Sequence, residues 1–149
     1  MEPILFLVIP CYNEEEVLPK TNRCVRDKLR RMIKDGAISE KSRILYVNDG
    51  SQDRTWEIIQ ALYRQDEYVT GITLSRNKGH QNALLAGLMT AKEYADIVIS
   101  MDADLQDDVE VIDKFVEEYK KGNDIVYGVR RSRKKDTAFK KYTALAFYK

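Results

Sequence analysis

Hydrophobic and polar positions along this chain alternate between two periods. Compact apolar runs predict five strands, at residues 4–9, 44–47, 69–74, 97–101 and 125–129. Between them, apolar residues recur at helical spacing and predict four helices, at residues 15–34, 54–65, 81–92 and 109–121. Strands that alternate with helices in this way predict an α/β fold, a mostly parallel sheet with helices on both faces.

Composition is typical of a single folded domain. The 149 residues are 44% hydrophobic and 33% charged, which excludes a disordered chain and predicts one domain over residues 1–149. Cys11 and Cys24 are interpreted as reduced thiols of a cytoplasmic protein. The pattern contains neither a secretory leader nor an apolar run near the roughly 18 residues that span a bilayer. An apolar helical pattern at 142–148 stops without a cap, so we expect the chain to be a fragment of a longer protein.

The net charge of +1 conceals an uneven distribution. Residues 130–149 contain eight basic side chains and one acid, and the rest of the chain is correspondingly acidic. A basic segment of this kind favours phosphate groups or an anionic membrane surface as partner, with a solvated helix face as the alternative. Nucleic acid is not an expected partner, and homo-oligomerisation stays open.

Polar residues follow each predicted strand. These segments are residues 10–14, 48–51, 75–80, 102–108 and 128–131. Because the carboxyl ends of parallel strands meet at one edge of the sheet, where ligands bind in open α/β folds, the five segments predict a binding site at that edge.

The strongest candidate chemistry lies in Asp102 and Asp104, directly after the fourth predicted strand. Alternation places both carboxylates on the same side of an extended backbone, and carboxylate oxygens suit Mg²⁺ or Mn²⁺ holding a phosphate. The alternative is an acidic loop that caps the helix beginning near Val109. Such a cation would neutralise charge on a departing diphosphate, which suits group transfer.

The common glycine-rich phosphate-binding motifs are absent, so other cationic groups must meet the phosphate charge. Arg76, Lys78 and Arg130 follow strands and are candidates, although Lys78 also fits an exposed position at a helix entry. His80 has no cysteine or second histidine nearby in the sequence and is interpreted as a helix-entry residue.

The segment after the second strand reads as a strand-to-helix turn. Gly50 permits a positive φ, and Ser51 or Asp53 can cap the next helix. Capping leaves Asp49 unexplained, and its carboxylate can accept a hydrogen bond from the imide N–H of a base. Tyr12 offers a ring for stacking on a base, or for ordinary packing at the edge of the core.

Three segments, at residues 9–15, 47–55 and 102–106, resemble the family 2 glycosyltransferases of the GT-A fold. Residues 74–83 and 102–108 are most similar to its polyprenyl-phosphate branch, which holds dolichyl-phosphate mannose synthases and undecaprenyl-phosphate glucosyltransferases. The resemblance covers essentially the whole chain. Asn48 departs from it, since many members have an aspartate there.

The resemblance implies a role for each matching residue. The nucleoside would be surrounded by Pro10, Tyr12, Glu14, Val47 and Asp49. Asp102 and Asp104 would be catalytic, and the metal and donor diphosphate would be held by Asp102, Ala103, Asp104 and Gln106. Arg130 would bind donor or acceptor phosphate.

The implied reaction moves a sugar from a nucleotide-diphosphate sugar, with UDP-hexose the expected donor, to a polyprenyl phosphate. It would need Mg²⁺ or Mn²⁺ and take place at the cytoplasmic face of a membrane, anchored by helices beyond this chain. Two alternatives stay open: a family 2 transferase that acts on a sugar hydroxyl of a cell-surface polysaccharide, and a nucleotide-binding module without turnover.

Overall fold

The computed structural model describes residues 1–129. Its strands are β1 (Leu5–Cys11), β2 (Arg43–Asn48), β3 (Val69–Thr73) and β4 (Ile97–Ser100). Its helices are α1 (Leu18–Lys34), α2 (Thr55–Gln65), α3 (His80–Ala91) and α4 (Ile112–Lys120), the last preceded by a 3₁₀ turn at Val109–Val111. Each of these matches a predicted element to within a few residues.

The four strands form one parallel sheet in the order β3-β2-β1-β4. Pro10 is level with Val47 across β1 and β2, and Val8 is level with Ser100 across β1 and β4. The chain therefore builds outward from β1 through β2 to β3 and then returns to the far side of β1 to form β4. In sheets of this kind a crevice opens at the carboxyl ends of the strands where the direction reverses, here between β1 and β4.

Helices cover both faces of the sheet, as predicted. On one face, Leu7 and Tyr46 pack with side chains of α1, α2 and the first turns of α4, in a core that includes Leu29 and Ile59. On the other face, among the residues that the structure describes, α3 packs against β1, β2 and β4. A side chain at Gly87 of α3 would begin 2.4 Å from a methyl group of Val8, so glycine is needed for this close approach.

The predicted fifth strand is wrong. Residues 125–129 are described and form no strand, and the side chains of Ile125 and Tyr127 are 72% and 68% exposed. Apolar alternation indicates strand tendency, but a strand also needs a neighbour that accepts its backbone hydrogen bonds. Residue contacts group Met1–Val116 into one compact unit, and a second unit begins at Glu117.

No helix within residues 1–129 is long and apolar enough to cross a membrane. Arg130, the basic segment at 130–149 and the apolar pattern at 142–148 lie outside the described residues.

Candidate functional site

A cleft of about 240 Å³ opens at the carboxyl edge of the sheet, within the unit Met1–Val116. It lies at the end of β1 and the start of the segment after β4, where the strand order reverses. The residues that line it are Pro10, Cys11, Tyr12, Glu14, Asp49, Asn77, Gly79, His80, Ala83, Asp102, Ala103 and Asp104. Loops from four separate parts of the sequence thus meet in one site, as the strand-end pattern predicts.

The loop after β1 is fixed by the loop after β2. Asn13 has a φ of 53°, its N–H donates to Ser51 Oγ over 3.0 Å, and its own Oδ1 accepts from Gln52 N. Glu14 N donates to Thr55 Oγ1 over 2.9 Å. Ser51 therefore holds the β1 loop, and of the two residues expected to cap α2 it is Asp53 that accepts a hydrogen bond from the start of the helix.

Asp53 links the same two loops. Its carboxylate accepts from Thr55 N at the start of α2 and from Glu15 N in the β1 loop. Burial alone would raise the pKa of Asp53, but the hydrogen bonds from Thr55 and Glu15 outweigh it and the pKa is lowered. The charged carboxylate is therefore part of what holds Glu14 at the cleft.

Asp49 is only 3% exposed, and it lines the cleft. Its Oδ1 accepts from Lys78 N over 2.7 Å, which fixes the side chain against the loop after β3. Within residues 1–129, Oδ2 has no hydrogen-bond donor, so one carboxylate oxygen remains for a ligand. A buried acceptor of this kind suits recognition of an N–H group on a base.

Gly50 allows the loops after β2 and β3 to touch. Its φ is +61°, and a Cβ there would lie 2.3 Å from the carbonyl carbon of Arg76 and the nitrogen of Asn77. Neighbouring Asn48 is buried and joins the same loops, since its amide donates to Thr73 Oγ1 and its Oδ1 accepts from Ser51 N. Asn48, which stands where many family members have an aspartate, thus hydrogen-bonds both to the end of β3 and to the loop after β2.

The acidic loop, residues 102–108, leaves β4 next to β1. Asp102 and Asp104 are exposed and line the cleft, while Ala103 between them is buried. Asp104 Oδ1 accepts from Gln106 N over 3.2 Å, and Leu105 takes the unusual φ of 58°. The two carboxylates therefore face the same cleft, as predicted, but the backbone at Ala103 and Asp104 is a turn and not the extended backbone that was expected.

The capping alternative applies to a different residue of that loop. Asp108 immediately precedes the 3₁₀ turn, and its Oδ1 accepts from Glu110 N over 2.9 Å. Asp102 and Asp104 take no part in this cap. Their position at the cleft therefore needs another explanation.

The pKa of Glu14 indicates the sign of the electrostatic potential in the cleft. Burial, followed by the carboxylates of Asp104, Asp53 and Asp102, raises its pKa. Burial and, after it, the charge of Glu14 raise the pKa of the Cys11 thiol, which disfavours the thiolate that a nucleophile would need. The cleft therefore has a negative potential that favours a cation.

These residues fit a divalent cation that is shared with a ligand. Within residues 1–129, no three His, Cys, Asp or Glu side chains are grouped closely enough to hold a metal by themselves. Mg²⁺ is commonly bound by one or two carboxylates together with substrate phosphates and water. Asp102 and Asp104 would supply those carboxylates. Gln106 is exposed and does not line the cleft, so its part in the metal site stays a prediction.

Other predicted site residues occupy different positions. Tyr12 lines the cleft and is 44% exposed, so its ring is available to a base. Val47 is fully buried, and its methyl group lies 2.8 Å from the position of a Cβ at Gly87, beneath α3 and outside the cleft lining. The side chain of Val47 therefore does not line the cleft, and its predicted contact with the nucleoside stays a prediction.

The entrance of α3 belongs to the cleft, as expected for the strand-end segment 75–80, but through residues other than the expected Arg76 and Lys78. His80 is the first residue of α3, as expected, but it also lines the cleft with Asn77, Gly79 and Ala83. Arg76 and Lys78, the candidates for phosphate binding, are exposed and outside the lining. The available signal was the position of residues 77–83 directly after β3, at the same edge as the two aspartates.

Comparison with known proteins identifies the family of the chain. The Glycosyl transferase family 2 profile matches residues 6–148, and the chain therefore belongs to that family. It is 52% identical over 99% of its length to the uncharacterized glycosyltransferase YkoT of Bacillus subtilis. It is 39% identical over 96% of its length to the prophage bactoprenol glucosyl transferase homolog of Escherichia coli. The chain covers 44% of each of these two relatives.

Solved structures show the same fold. The mannosyltransferase PcManGT of Pyrobaculum calidifontis, in complex with GDP-Man and Mn²⁺, superposes with a TM-score of 0.64 at 20% identity, covering 97% of this chain and 39% of that one. TarS of Staphylococcus aureus in complex with UDP gives 0.58 at 19% identity, covering 89% and 40%. The chain thus has the GT-A fold expected from its sequence.

Proposed function

We propose that this chain forms the donor-binding part of an enzyme that transfers a hexose from a nucleotide-diphosphate sugar to a polyprenyl phosphate. The observation that carries the proposal is the convergence of Glu14, Asp49, Asp102 and Asp104 on one cleft where the strand order reverses. Bactoprenol glucosyl transferases among the relatives support the acceptor, and a Mn²⁺ complex among the solved structures supports the cation.

In this proposal the base and the diphosphate occupy opposite sides of the cleft. Asp49 accepts the imide N–H of a uracil on the β2 side, where Tyr12 offers its exposed ring for stacking. Asp102 and Asp104 hold a divalent cation on the β4 side. That cation, when bound, offsets charge on the diphosphate and makes it a better leaving group.

The transfer needs no strong protein base, because a lipid phosphate is already ionised near neutral pH. An oxygen of the acceptor phosphate forms the new bond to the anomeric carbon. The bond from that carbon to the donor diphosphate breaks, and its electron pair leaves with the nucleoside diphosphate. Arg130 and the basic segment after it are proposed to bind acceptor phosphate and the cytoplasmic surface of an anionic membrane.

A nucleotide panel tests the donor. Calorimetric titration with UDP, UDP-glucose, UDP-N-acetylglucosamine and GDP-mannose in Mn²⁺ is expected to show the tightest binding for a uridine nucleotide. Tighter binding of GDP-mannose would contradict the assignment of Asp49 to uracil. Failure of all four to bind would contradict the proposed function.

An acceptor competition tests the transfer. The protein is incubated with radiolabelled UDP-glucose and either undecaprenyl phosphate or a soluble oligosaccharide. Radioactivity that enters the organic phase only with the lipid phosphate is the expected result. Label on the oligosaccharide instead would favour the polysaccharide alternative.

A further inference from the structure

We propose that Thr21 is a positioning residue for the acidic loop. Thr21 lies on α1, is 1% exposed, and its hydroxyl donates to the carbonyl oxygen of Ala103 over 2.5 Å. Ala103 separates Asp102 from Asp104, so this hydrogen bond fixes the peptide between the two proposed cation ligands. The inference rests on the proposed function and adds to it a residue outside the cleft lining.

The backbone of the acidic loop needs such a fixed point. The backbone after β4 is last hydrogen-bonded to β1 at Met101, whose N–H donates to Val8 O over 3.0 Å. Two residues after Ala103, Leu105 has a φ of 58°. This left-handed conformation costs a residue with a Cβ free energy and persists only where the surroundings enforce it. Thr21 supplies an enforcing contact from a separate element, 82 positions away in the chain.

Helix α1 is well placed to act as the rigid support. Asn22, next to Thr21, accepts a hydrogen bond from the buried Tyr46 hydroxyl over 2.7 Å, which ties α1 to β2. Two turns further along α1, the ammonium of Lys28 is 5% exposed and pairs with Glu110 over 3.0 Å and with Asp113. The same helix thus contacts the chain both within the acidic loop and just after it.

Loss of the Thr21 hydroxyl therefore has a specific consequence. Valine has nearly the same shape but no donor, so Thr21→Val leaves the Ala103 carbonyl without its partner while keeping the packing. The loop is then free to relax around Leu105, and the two aspartates lose their common orientation. We expect this to weaken binding that depends on the cation, and not binding to the nucleoside side of the cleft.

The test compares UDP affinity in Mn²⁺ and in EDTA for the wild type, Thr21→Val and Thr21→Ser. Thr21→Val is expected to lose about five- to tenfold in affinity in Mn²⁺, the size of one net hydrogen bond, and to change less than twofold in EDTA. Thr21→Ser keeps the donor and is expected to bind nearly as the wild type. Thr90→Val is the matched control, since Thr90 also donates its hydroxyl to a carbonyl, that of Ala86 within α3, away from the loop.

Two results would overturn the inference. In the first, Thr21→Val keeps the whole Mn²⁺-dependent gain in UDP affinity of the wild type. In the second, Thr21→Val loses UDP affinity equally in Mn²⁺ and in EDTA, which indicates a structural role alone. If Thr21→Val does not fold, Thr21→Ala takes its place, because its smaller side chain leaves room for a water at the carbonyl. A wild type without any Mn²⁺-dependent gain would instead contradict the proposed cation site itself.

Discussion

Replacing Asp49 by asparagine separates base recognition from the architecture of the cleft. Asp49 is 3% exposed, and its Oδ1 accepts from Lys78 N over 2.7 Å. Asparagine has the same shape and keeps a carbonyl oxygen for Lys78, so the loop after β3 stays in place. The second oxygen becomes an NH₂ group, which cannot accept the imide N–H of a uracil.

The magnitude follows from the loss of one hydrogen bond to a charged acceptor. Such bonds are worth roughly 1.5–3 kcal/mol, and about 1.4 kcal/mol corresponds to tenfold in affinity. Asp49→Asn is therefore expected to weaken UDP binding by roughly ten- to 150-fold. Its melting temperature should stay close to that of the wild type, whereas Asp49→Ala also removes the acceptor for Lys78 N and should melt earlier.

Asp66 provides a matched control for this experiment. It is 5% exposed, and its Oδ1 accepts from Tyr68 N over 2.9 Å, at the opposite end of β3 from the cleft. Calorimetry should show unchanged UDP binding for Asp66→Asn. If Asp49→Asn binds UDP as tightly as the wild type, Asp49 is only a turn residue and the nucleoside assignment fails.

Three further predictions concern stability. Burial and the carboxylates of Asp104, Asp53 and Asp102 raise the pKa of Glu14 in the folded protein, so its contribution to stability is present at acidic pH and lost as the pH rises through that raised value. Glu14→Gln should therefore raise the melting temperature at pH 7.5 and not at pH 4; a shift that is the same at both values would refute this. Gly50→Ala should lower the free energy of unfolding in urea by at least about 1–2 kcal/mol, because its φ is +61° and its Cβ would collide with Arg76; an unchanged midpoint would contradict the geometry. Lys28→Met should lower the free energy of unfolding in urea at pH 7.5 by about 1 kcal/mol, a modest value because Glu110 and Asp113 are 55% and 43% exposed. Lys28→Arg keeps the charge, so an equal loss in Lys28→Met and Lys28→Arg would exclude the ion pairs as the source.

Sequence patterns predicted β1 to β4 and α1 to α4 because local periodicity locates such elements, and they predicted the position of the cleft because parallel strands share a carboxyl edge. Apolar runs located β1 to β4, and the rule that parallel strands share a carboxyl edge brought Asp49, Asp102 and Asp104 together. Those steps need only the spacing of residues within one segment and the order of segments along the chain.

The remaining features depend on contacts between distant segments. Nothing in the sequence around Thr21 indicates that its hydroxyl meets Ala103, and nothing near Ser51 indicates that it holds Asn13 instead of capping α2. Val47 shows the same limit, since only the packing of Gly87 against β1 and β2 places its side chain beneath α3. Hydrogen bonds across loops are decided by tertiary structure, which single-segment patterns do not contain.

The cation site is the central claim, and the difference in UDP affinity between Mn²⁺ and EDTA tests it most directly. Without a cation, Asp102 and Asp104 face the diphosphate as like charges, so the wild type should bind UDP at least about tenfold more tightly in Mn²⁺. Asp102→Asn and Asp104→Asn should each remove most of that gain. Glu93→Gln is the control for loss of one charge, since exposed Glu93 follows the far end of α3, roughly 18 Å along the helix from its entrance at the cleft. Equal affinity of the wild type in the two buffers would contradict the account.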